Sequence, residues 1–90
     1  MSPSEILHKA ASLVSGERAK QHGDYVLLHQ RVADLWSTYL KTEVRPDQVA
    51  MCMVFLKLVR NELGSFNPDD GVDATAYTAL WAAITEEKNA

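Results

Sequence analysis

Lys57 and Arg60 are the residues whose type and spacing most invite chemistry. Three positions apart, they share one face of a helix. They follow eight consecutive apolar residues, 49–56, and Leu58, Val59 and Leu63 continue the apolar character around them. Charges in such surroundings need partners, because an unpaired buried charge is very costly. Two arrangements meet that need. The side chains run out to water or to acidic neighbours, or they form part of an anion pocket. In the second case Arg60 suits a bidentate phosphate contact.

Asp70, Asp73 and Tyr77 form a second constellation, at steps of three and four along one helix face. Paired carboxylates at this spacing can hold Mg²⁺, with phosphate oxygens and water completing the shell. They equally suit a helix N-terminus, or serve as ion-pair partners of Lys57 and Arg60. A calcium loop of the EF-hand type is excluded. Counting back from Gly71 puts Phe66 at the first ligand position and Tyr77 at the twelfth.

The third constellation is the polar stretch Gly-Glu-Arg-Ala-Lys-Gln-His-Gly-Asp at 16–24. It reads as a solvated connection. With Arg18 and Lys20, and a conformationally free Gly23, it is also able to close over an anion. It carries no Walker or dinucleotide glycine pattern. His8, His22 and His29 lack metal-ligand spacing. No serine–histidine–acid or cysteine–histidine arrangement is recognisable. Trp36, Tyr39, Tyr77 and Trp81 fall at helical spacing, which makes them core aromatics first and base-stacking platforms second.

Four helices must position these groups. Ser2 as N-cap, Pro3 at N1 and Glu5 at N3 open the first, and Ile6, Leu7, Ala10, Leu13 and Val14 give it an apolar stripe, with Gly16 as its stop. Asp24 caps the second, whose expected core stripe is Tyr25, Leu28, Val32, Leu35, Trp36 and Tyr39. After a short connection, 41–45, Pro46 opens a third helix of about 17 residues, reaching Leu63. Its run 49–56 is apolar all round, as in a core or a subunit interface. Asn67 caps the fourth, with Pro68 at N1 and Asp69, Asp70 and Asp73 near its N-terminal end. Val72, Ala76, Ala79, Leu80, Ala83 and Ile84 supply its apolar set, and the polar tail 85–90 is expected to fray. The expected fold is therefore all-α, a compact four-helix domain over 1–90 with a buried central third helix. The all-apolar run in that helix predicts a homo-oligomer.

The bulk properties narrow the function classes. Ninety residues make one domain, and its hydrophobic share of 47% argues against disorder. A net charge of −3 lacks the basic footprint of a duplex-binding protein. Cys52 is the sole cysteine, so no intrachain disulfide or Cys-rich zinc site forms. The N-terminus does not read as a secretory signal. The longest apolar run is far short of the roughly 20 residues that span a membrane. A cytoplasmic location is the expectation.

Several motifs also carry a resemblance. They are Gly-Glu-Arg-x-x-x-His-Gly-Asp at 16–24, Val-Ala-Asp-Leu-Trp at 32–36, Asp-x-Val-Ala-Met-x-Met-x-x-x-Lys-x-x-Arg at 47–60 and Asp-x-x-Asp-x-x-x-Tyr at 70–77. Together they resemble a family of small phage- and prophage-encoded helical proteins of unknown function, over nearly the whole chain. A more distant likeness is to the all-α nucleoside triphosphate pyrophosphatases of the MazG type. Those hold Mg²⁺ with Glu-x-x-Glu on one helix and Glu-x-x-Asp on another. Asp70 and Asp73 stand where the second element would be. The first is missing, since the second helix offers only Asp34 and no Glu-x-x-Glu occurs. The resemblance implies a nucleotide-sized pocket without the catalytic metal set. The expected function is non-catalytic binding of a nucleotide or nucleotide-like anion by Lys57, Arg60, Arg18 and Tyr77, without a cofactor. In a host bacterial cytoplasm its use would be to sequester a defence signalling nucleotide. The alternatives are an Mg²⁺-dependent pyrophosphohydrolase built on Asp70 and Asp73, and a helical partner-binding or regulatory module.

Overall fold

The computed structural model describes residues 1–15 and 24–88. It holds four α-helices: α1 (Pro3–Ser15), α2 (Tyr25–Leu40), α3 (Pro46–Leu63) and α4 (Pro68–Lys88). No strand occurs among the described residues. The fold is all-α, as expected.

Local chemistry sets the helix starts. In α1, the Glu5 N–H donates to Ser2 Oγ at 3.2 Å and the Ser2 N–H donates to Glu5 Oε1 at 3.3 Å, a reciprocal capping box. Asp24 Oδ1 accepts from the Val26 N–H at 2.8 Å. Asn67 Oδ1 accepts from the Asp69 N–H at 3.0 Å. At the start of α3 the Arg45 N–H donates to Gln48 Oε1 at 2.9 Å, and Pro46 takes N1. The α2–α3 connection is fastened by Ser37: its Oγ accepts from the Val44 N–H at 2.8 Å and donates to Val44 O at 3.2 Å. Lys41 ends α2 in the left-handed region at φ 58°.

The helices form an open row. The α3–α4 hairpin is its centre, with α1 on the α4 side and α2 on the α3 side. The third helix is thus central, as expected. Ala10, Val72 and Ala76 join α1 to α4, with Ile6, Leu13 and Val14 packed around them. Val49, Ala50 and Val54 are the buried apolar residues of α3.

Three expectations need correction. The outer face of α3 is not buried: Cys52, Phe55, Leu56, Leu58 and Val59 are exposed. On α2, Leu28, Leu35 and Tyr39 face water, Tyr39 at 85% exposure, and Tyr39 is no core aromatic. The buried positions of α2 are His29 and Ala33. Ala33 is small enough for close helix approach, and its exposure is 0%. His29 is tolerated inside because its Nδ1–H donates to Tyr25 O at 2.8 Å. Third, the polar tail expected to fray is helical from Thr85 to Lys88, with Thr85 Oγ1 donating to Trp81 O at 2.7 Å. The expected stop at Gly16 lies outside the described residues.

Candidate functional site

The α3–α4 hairpin decides which candidate residues meet. Its two helices are joined by the short segment 64–67, so they run antiparallel and bring Lys57 opposite Asp73. Lys57 Nζ lies 3.1 Å from Asp73 Oδ2. The side chains are 14% and 30% exposed, so the pair sits largely inside the seam. Lys57 therefore finds its negative company in the α4 acid.

Arg60, one turn further along α3, is exposed, and no acid pairs with it among the described residues. It lies in the last turn of α3, where a cation suits the helix dipole. Asp70 is buried at 7% exposure in the first turn of α4, and Tyr77 is half-buried. Arg18, with Lys20, His22 and Gly23, lies outside the described residues. Of the candidate residues, then, Lys57 and Asp73 are in contact, Asp70 and Tyr77 stand one turn either side of Asp73 along α4, and Arg60 points into solvent.

Asn61 belongs to the same neighbourhood and was not singled out by its type. Its Oδ1 is buried and accepts no hydrogen bond among the described residues. The available sequence signal was its place four residues after Lys57, on the same helix face. Lys57, Asn61, Asp70, Asp73 and Tyr77 thus make a polar line along an otherwise apolar hairpin. Buried polar groups weaken a small core unless something satisfies them.

The residues present fit a metal ion poorly. The ammonium of Lys57 already stands on Asp73, where a cation would bind. No group of three or more His, Cys, Asp or Glu side chains able to hold a metal occurs among the described residues.

A separate cleft of about 470 Å³ opens at the other end of α3, lined by Gln30, Asp34, Arg45, Asp47 and Glu87 among others. Arg45 holds Asp47 there with both ends of the carboxylate, Nε–Oδ1 at 3.2 Å and Nη2–Oδ2 at 3.4 Å. Ten residues of helix, about 15 Å, separate Asp47 from Lys57, so the cleft is not part of the seam. No helix of the described residues is long and apolar enough to cross a membrane.

The model of a domain of unknown function, DUF6378, matches residues 5–85. The Gene 55 protein of Mycobacterium phage L5 is 34% identical over 76 residues, which cover 83% of this chain and 49% of that protein. The Gene 55 protein of Mycobacterium phage D29 is 32% identical over 82 residues, covering 91% of this chain and 54% of that protein. The chain therefore spans about half the length of these curated relatives. No solved structure matches it.

Proposed function

The chain belongs to the DUF6378 family, and from that premise we propose a phage-type protein that holds a nucleotide or nucleotide-like anion in the α3–α4 seam without turning it over. The observation that carries this reading is a lysine–aspartate pair set in the seam, beside an arginine one turn away that has no acid partner among the described residues. Arg60 offers a planar fork for phosphate. Asn61 and Asp70 offer buried acceptors, which match the N–H donors of a base. A nucleotide is a ligand class that brings an anion and such donors together. Tyr77 stands on the same line for ring contact, and Arg18 is the further cation of this reading. Sequestering a host defence signalling nucleotide is the use such a holder would have in a phage.

Asp73 sets the terms of binding, because it neutralises Lys57 until an anion competes for the ammonium. The expected signature is thermal stabilisation by a nucleotide without phosphate release. Occupancy at a hundred times Kd adds about 2.7 kcal/mol. Arg60→Ala removes this stabilisation and Asp73→Asn, which frees Lys57, strengthens it. Stabilisation that survives Arg60→Ala places the ligand elsewhere. The Mg²⁺-dependent pyrophosphohydrolase reading predicts instead phosphate release from nucleoside triphosphates that is lost in Asp73→Ala. The Lys57–Asp73 contact supports the non-catalytic reading over it.

A further inference from the structure

The molecule exposes more surface than a lone domain of its mass, and many large apolar side chains are part of it. Its accessible surface is 6435 Å² for 10.0 kDa. A monomer of that mass exposes about 5,200 Å². The excess, about 1,200 Å², is larger than the roughly 800 Å² that each partner buries in a stable complex. The radius of gyration agrees: 13.8 Å, against about 12 Å for a compact chain of this length. No large side chain reaches full burial among the described residues. The cause is the open row, in which α2 packs extensively on α3 alone.

The exposed surface has a definite form on α3. Cys52, Phe55, Leu56, Val59 and Leu63 are all exposed, Leu63 at 84%. At 3.6 residues per turn they fall in one stripe roughly 100° wide. Arg60 flanks the stripe on one side and Glu62 on the other, both exposed. The stripe faces away from Lys57 and Asn61, which lie on the seam side of the same helix.

We propose that this stripe is covered by the same stripe of a second copy, with the two α3 helices running parallel about a two-fold axis. An isologous pair puts identical patches together. In the parallel arrangement the Arg60 flank of one copy faces the Glu62 flank of the other, so opposite charges meet. In the antiparallel arrangement Arg60 meets the apolar first half of the partner helix. Cys52, on the midline of the stripe at its N-terminal end, then faces Cys52 of the partner subunit. Arg60 borders both the stripe and the seam, so the test of this self-association is placed at Val59 and Cys52, which belong to the stripe alone.

The test uses the whole 90-residue chain at tens of micromolar. Light scattering should give twice the mass of one chain. A short bismaleimide should join two chains through Cys52. Val59→Lys, at an exposed helical position, should leave the helical circular dichroism intact and abolish the dimer, and Leu35→Lys on α2 should leave it dimeric. A monomer mass for the unmodified chain overturns the proposal, and leaves the stripe to a heterologous protein or to the additional sequence that the longer relatives possess. A dimer that survives Val59→Lys, or that is lost in Leu35→Lys instead, also overturns it. A dimer without Cys52 cross-linking overturns the parallel pairing.

Discussion

Asp73 meets Lys57 with one oxygen at 3.1 Å, and the two side chains are mostly but not wholly removed from water. Such a pair contributes little net stability, yet breaking it leaves a partly buried charge without company. Asp73→Ala is expected to cost about 1–2 kcal/mol, less than the 3–5 kcal/mol of a fully buried pair because solvent reaches Asp73. Replacing both, Lys57→Met with Asp73→Leu, should recover most of that loss. Denaturant unfolding of the single and double variants measures both numbers. A double variant less stable than Asp73→Ala alone would mean that the pair does more than balance charge. The spacing of Lys57 made its need for a partner legible in the sequence. Which acid answered it was not, because Asp70 and Asp73 lie on the same helix face and only the register of the hairpin selects between them.

At the scale of the elements, capping and helix propensity set the stability of each segment. Asp24→Ala removes the acceptor at the start of α2 and is expected to cost about 1 kcal/mol. Gly71 sits inside α4, and a Cβ added there meets nothing within 4 Å. Gly71→Ala should therefore stabilise the protein by roughly 0.5–1 kcal/mol. Unfolding midpoints read both effects, and a destabilised Gly71→Ala would imply a close neighbour at that turn. The starts of all four helices were legible because Ser2, Asp24, Pro46 and Asn67 act on their own next few residues. The buried face of α2 was not. Its large apolar residues advertise one face, but Ala33 and the bonded His29 allow closer approach on another. Ala33→Leu should thus destabilise by about 1–3 kcal/mol through overpacking, although it adds apolar volume.

For the whole molecule, the open helix row ties stability to assembly. If a second copy covers the α3 stripe, folding and association are linked, and the unfolding midpoint rises with protein concentration. Differential scanning calorimetry over a hundredfold concentration range checks this, and a flat midpoint would speak for a self-sufficient monomer. A nucleotide added at constant protein concentration should also raise the midpoint, and because Arg60 borders both the seam and the stripe the two contributions are coupled. Small domains have little margin, so either contribution is a large part of the total.

Sequence alone determined the all-α class, the four helices with their starts, the central place of the third, and the demand of Lys57 for a negative partner. These follow from interactions between residues a few positions apart, which periodicity and capping record directly. Only the tertiary structure decided that Asp73 takes Lys57, that Asn61 Oδ1 is shut away without a donor among the described residues, and that α2 and α3 leave their leucine stripes in water. Those outcomes depend on how whole helices rotate and slide against one another. That choice is made by the summed fit of many side chains, and no single stretch of sequence carries it.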